Sequence, residues 1–251
     1  MKILTVGCSW SSGYGIDSND AYPRVLESLI PDCKVINLAV PGTSFTHAIH
    51  NIIGGIEEHN PDVILFQGTT LDRVTFGVNG YNNFLKEVYL PHDRVLLHIT
   101  QEVLLKATDN DKSYFLNLAK DIRYNGNIEE LISAVKFYGL HTMYDHFTLD
   151  SYMISLATLQ SYLNQKKIKH LFFPYLHFTW EGRKYFNIWD TKFGNLPNTN
   201  NIIREPFETW LSTYTDKNHY IDNGFHLDKE GHKILAKEYL LPKLKKIINE
   251  N

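Results

Sequence analysis

Ser9 follows the apolar run Ile3-Leu4-Thr5-Val6-Gly7 and precedes the small, turn-rich stretch Ser11-Ser12-Gly13-Tyr14-Gly15. A hydroxyl at the tip of a strand is where an α/β enzyme places a nucleophile; the same position also suits a turn serine that caps the next helix. A serine hydroxyl becomes reactive when a base takes its proton. His226, in Asn223-Gly224-Phe225-His226-Leu227, offers an imidazole just ahead of a closing helical segment. Cys8 is a rival nucleophile by chemistry, but strand alternation groups it with Leu4 and Val6 in packing, where a thiol behaves as a small apolar group.

The elements that must hold these groups follow from the apolar pattern. Strands are expected at Ile3 to Gly7, Lys34 to Ala39 and Asp62 to Gly68, with helices at Tyr22 to Leu29 and Ser44 to His59 between them. Such alternation implies a parallel sheet with right-handed crossovers. The loops leaving its strands carry Ser9, Pro41-Gly42-Thr43-Ser44 and Gly68-Thr69-Thr70-Leu71-Asp72, and they converge on one sheet edge.

A further strand is expected at Ile168 to Tyr175, closed by Pro174. The stretch before it is far longer than one crossover needs. It carries helical patterns at Asp111 to Ile122, Ile128 to Tyr138 and Thr148 to Asn164, so residues 75–165 read as a helical insertion or cap within a single domain spanning 1–251. Periodicity fades from His177 to about Asp216, and a final helix is expected from Asp228, its N-cap, to Asn249, kinked or divided at Pro242.

Composition narrows the function classes. The chain has 251 residues, 43% of them apolar and 13% aromatic, enough for a substantial core. A formal charge of -3 without a dense Lys/Arg block argues against nucleic acid as a partner. The absence of a long apolar run argues against a membrane partner, and the lack of an export-signal pattern gives the expectation of a cytoplasmic protein. Cys8 and Cys33 imply no disulfide framework. The twelve histidines include no His-Glu-x-x-His pattern, so no metal is expected. Neither a Gly-Lys-Ser/Thr loop nor dinucleotide glycine spacing is present, and no cofactor is expected.

Gly7-Cys8-Ser9, Asn37-Leu38-Ala39-Val40-Pro41-Gly42-Thr43-Ser44 and the late His226 together resemble the SGNH/GDSL hydrolase superfamily in order and placement across almost the whole chain. That resemblance implies a three-layer α/β/α fold on the flavodoxin-like plan, with a mainly parallel sheet of about five strands. It implies Ser9 as nucleophile, His226 as its base, and Ser9 and Gly42 as oxyanion donors. The first block has Cys8 where the family has Asp, and the third places Thr70 where the family has the oxyanion Asn. The family's last block, Asp-x-x-His, sets Asn223 three residues before His226, with Asp222 one further back; Asp222 or Asn223 would orient the ring.

The activity implied is hydrolysis of an ester, such as deacetylation of a carbohydrate or release of another small acyl group. Acyl transfer through the same serine, or ligand binding without turnover, are the alternatives. Arg73 would meet an anionic substrate group or pair with Asp72. Trp180 and Trp189, in an aromatic-rich irregular stretch, would form a substrate wall or pack on the sheet.

Overall fold

The structure, a computed structural model, describes residues 1–68, 74–78, 95–99, 101–121, 127–142, 146–174, 197–221 and 226–249. The chain divides into two compact units, one formed by Met1–Thr70 with Leu149–Asn251 and the other by Leu71–Thr148.

The larger unit is organised by four parallel strands among the described residues, β1 (Lys2–Val6), β2 (Lys34–Asn37), β3 (Val63–Gly68) and β6 (Lys169–Pro174), in the order β2-β1-β3-β6. β1 and β3 are central, so both of their faces are covered, and their buried residues are apolar apart from Thr5 and Gln67. Side-chain alternation divides them between two layers. Ile3, Val35, Val63, Leu65, Leu171 and Phe173 join a core with Tyr22 and Leu26 of α2 (Tyr22–Leu29) and the apolar face of the C-terminal helix. On the opposite face Phe66 stacks on Phe45 of α3 (Phe45–His59), and Phe172 meets Tyr152 of α7 (His146–Gln165) edge-on. The result is the expected α/β/α sandwich, with four described strands in its parallel sheet.

Two of the helices begin at side-chain caps. The Ser44 hydroxyl caps α3 by accepting the His47 N–H at 3.3 Å. The Asp228 carboxylate caps α9 (Lys229–Ile234) by accepting the Gly231 N–H at 2.6 Å. After α9 the helix widens to a π turn over Leu235–Leu240 and resumes as α10 (Leu241–Asn249). Pro242 has no N–H and its ring crowds the Glu238 carbonyl, so the wider register ends where an α-helical bond to that carbonyl is unavailable. The proline therefore divides the hydrogen-bond pattern of a continuous helical run.

The smaller unit pairs β4 (Val74–Val78) with β5 (Val95–Ile99) in an antiparallel ladder. It also holds α4 (Gln101–Thr108), α5 (Lys112–Asp121) and α6 (Ile128–Thr142) around a core of Val103, Ala107, Phe115, Leu131, Ile132 and Val135. Its ladder and α4 are not visible as periodicity. α6 runs on to Thr142, past Tyr138, where the expected helix ends.

One irregular stretch also departs from expectation. α8 (Phe207–Tyr214) lies within the segment read as loops, with Phe207 and Leu211 buried at i, i+4. A helix this short shows barely two turns of pattern, too few to register as a period.

Candidate active site

Ser9 is the first residue of α1 (Ser9–Ser12), a single helical turn reached from β1 through Gly7 and Cys8. Its Oγ lies 2.9 Å from Nε2 of His226, 217 residues away along the chain. Ser9 is only 6% exposed, so this hydrogen bond forms largely out of water. The distance is within the range over which a ring nitrogen takes a hydroxyl proton directly.

The Ser9 turn is held by side chains that are buried or half-buried. Gln67, near the end of β3, accepts the Cys8 N–H at 3.1 Å and the Ser11 hydroxyl at 2.7 Å through Oε1, while its Nε2 donates to the Gly68 carbonyl at 3.0 Å. Ser11 spends its one proton on Gln67, so the Tyr22 hydroxyl, 2.7 Å from Ser11 Oγ, is the donor in that pair. Burial pushes the Tyr22 phenol far above its ordinary value, which keeps that proton in place. Asn37, the last residue of β2, donates from Nδ2 to the Ser11 carbonyl at 2.7 Å. Gly7 is required by this closeness, since a Cβ there would collide with Ser11 Oγ and sit 2.6 Å from Gln67 Oε1.

The described residues around His226 are tied together by backbone bonds. Tyr220 and Leu227 form an antiparallel bridge, the Ile221 N–H donates to the His226 carbonyl at 2.8 Å, and the Asp228 N–H donates to the His219 carbonyl at 2.8 Å. The bridge runs straight into the Asp228 cap of α9. The Tyr14 ring lies against the imidazole, with centroids 4.8 Å apart and planes tilted by 43°.

Gly42 reaches the same sheet edge. After β2 the chain stays bonded to β1, Leu38 N–H to Thr5 at 2.9 Å and Val40 N–H to Gly7 at 3.1 Å, and then turns through Pro41 and Gly42 into the Ser44 cap.

Comparison with solved structures puts this arrangement in context. The crystal structure of TesA is similar with a TM-score of 0.51 at 11% identity, over 98% of this chain and 99% of that one. A two-domain esterase, CEX, active on acetylated mannans and co-crystallized with mannopentaose, is similar with a TM-score of 0.51 at 10% identity, over 100% of this chain and 51% of that one. The fold is that of the SGNH/GDSL esterases. No protein-family model matches the chain, and no curated protein matches it in sequence.

Within this SGNH/GDSL fold, Ser9, His226 and the turn bearing Gly42 are described. Asp222, Asn223, Thr70, Arg73, Trp180 and Trp189 lie outside the described residues. Among the described residues no cluster of three His, Cys, Asp or Glu could hold a metal ion, and no helix is long and apolar enough to cross a membrane.

Sequence reasoning passed over Gln67, Asn37, Ser11 and Tyr22. Gln67 had a signal, as the one amide in the apolar run Val63-Ile64-Leu65-Phe66-Gln67, since a fully buried polar side chain needs partners. His232 is buried, and its Nδ1 accepts the Tyr22 N–H at 3.2 Å, satisfying a donor at the start of α2. Burial, assisted by nearby His226 and opposed by Asp228, lowers its pKa to about 4, so the ring is neutral at pH 7.

Proposed function

We propose that the chain is a serine hydrolase of small-acyl esters. The observation that carries this reading is the 2.9 Å hydrogen bond between Ser9 Oγ and His226 Nε2. In the proposed reaction His226 takes the Ser9 proton as Oγ bonds to the acyl carbon, and the carbonyl oxygen becomes an oxyanion held by the backbone N–H groups of Ser9 and Gly42, with Thr70 as a third donor. The C–O bond to the alcohol then breaks, and the imidazolium returns its proton to the departing oxygen. Water, deprotonated by His226, attacks the acyl-serine; the carboxylic product leaves and Ser9 regains its proton. Asp222 or Asn223 orients the ring in this scheme.

A small acyl group is supported by the likeness in fold to CEX, an esterase active on acetylated mannans. Transfer of the acyl group to an acceptor hydroxyl would pass through the same acyl-serine. The test is covalent labelling with a fluorophosphonate, which reports an activated serine without knowledge of the substrate. Labelling of the protein and its loss in Ser9→Ala are expected. No labelling of the unmodified protein would overturn the reading in favour of a binding module.

A further inference from the structure

We propose that Tyr14 is the platform for the leaving alcohol of the ester, and that this alcohol is a pyranose ring. The proposal rests on the hydrolase reading above and adds the substrate's alcohol side.

Tyr14 is unusual in its surroundings. Ser9, Trp10 and Ser11 are buried, whereas Tyr14, three residues beyond them, is 54% exposed and still lies against the His226 ring. Its placement is built into the backbone. Gly13, at φ 76°, closes α1 in the left-handed region, and the Tyr14 N–H donates to the carbonyl of Ser9 itself at 3.0 Å. Gly15, at φ 83°, continues the chain in the same region, and a side chain there would collide with Ile221. Two glycines and a bond to the nucleophile's own carbonyl thus hold an aromatic side chain beside the base, with much of its surface left in water.

The chemistry of that position selects the ligand. In ester cleavage the imidazolium delivers its proton to the departing alcohol oxygen, so a ring packed on the imidazole borders the alcohol side of the substrate. A long alkyl or aryl group gains most from an enclosed apolar pocket. Tyr14 is 54% exposed, and Gly15, Asp17, Ser18 and Asn19, which follow it in sequence, are exposed as well. A pyranose suits such a surface, because its C–H face packs on an aromatic ring while its hydroxyls remain hydrated.

The test compares two acetyl esters that differ only in the alcohol, a mono-acetylated methyl pyranoside and ethyl acetate, in the intact protein and in Tyr14→Ala and Tyr14→Trp. The ratio of kcat/KM values, pyranoside over ethyl ester, is expected to fall about tenfold in Tyr14→Ala and to be largely kept in Tyr14→Trp. Loosening of His226 alone would slow both esters and fluorophosphonate labelling together, leaving the ratio unmoved, and that result overturns the proposal. A second measurement needs no turnover: saturation-transfer NMR with the methyl pyranoside is expected to show transfer to its ring C–H protons that disappears in Tyr14→Ala. Absence of transfer to the unmodified protein overturns the platform. Transfer without ester turnover or Ser9 labelling overturns the hydrolase reading while leaving the platform standing.

Discussion

Among the described residues, the two arms of the candidate site are held in different ways. The Ser9 arm depends on side chains, because buried Gln67, Ser11 and Tyr22 and half-buried Asn37 form a network around one helical turn. Among the described residues the segment carrying His226 is tied by backbone, a bridge between Tyr220 and Leu227 followed at once by a helix cap. A network of buried side chains fails when any one partner is lost, since the others remain desolvated without their bonds. A backbone bridge survives most side-chain changes and yields when the element it feeds is loosened. Substitutions should therefore divide by arm.

The largest expected effect removes the pair on which both arms converge. Ser9→Ala and His226→Ala are each expected to lower ester turnover by about 10,000-fold, and the double variant should lose little more, because residues acting as a unit are not additive. Steady-state kinetics on an acetyl ester checks this, and additive losses would mean that the two groups do not share one step.

Next in size is the acid sensitivity of His232, which ties the start of α2 to α9. The folded ring takes a proton near pH 4, whereas the unfolded ring does so near its ordinary value of 6.5. Between these values the unfolded chain binds more protons, so stability rises with pH. A contribution of roughly 3 kcal/mol, complete above about pH 6.5, is expected to be lost progressively as pH falls to about 4. Urea unfolding of the protein and of a His232→Gln variant across that window measures it; an equally steep acid loss in the variant would assign the effect elsewhere.

Gln67→Leu tests the side-chain arm. It strands the Cys8 N–H and the Ser11 hydroxyl in the core, and a loss of about 1–3 kcal/mol in stability is expected for the unsatisfied groups, together with a reduced kcat as the Ser9 turn shifts. Denaturant unfolding and kcat measured on the same preparation check both parts. The smallest expected effect is on the backbone arm: Asp228→Ala removes one cap and should cost about 1 kcal/mol, with Asp228→Asn close to neutral because an amide oxygen also caps. If Asp228→Ala proved more damaging than Gln67→Leu, the contrast between the arms would be reversed.

The fold was legible because burial on both faces makes β1 and β3 predominantly apolar, and helical spacing marks α2 and α3 between the strands. Pattern strength also explains what was not legible. α8 is too short to repeat its period, and the partners of the β4–β5 ladder are separated by a long stretch of chain. In the candidate site, Ser9 could be read from its place after a strand, and Gly42 and His226 from their order in the resemblance. Of the groups that hold the Ser9 turn, Gln67 is marked only as the one amide in an apolar run, and Ser11, Tyr22 and Asn37 follow no spacing rule that announces them.

The sequence by itself determined the β-α-β order of the first strands, the strand-end position of Ser9 and the caps Ser44 and Asp228, all properties of neighbouring residues. Only the tertiary structure decided that Ser9 and His226 stand 2.9 Å apart, that Gln67 holds the turn between them and the sheet, and that Tyr14 lies beside the base. Local order follows from propensity and period. Contacts across 217 positions of chain depend on how the strands register and the helices pack, and no local pattern encodes that geometry.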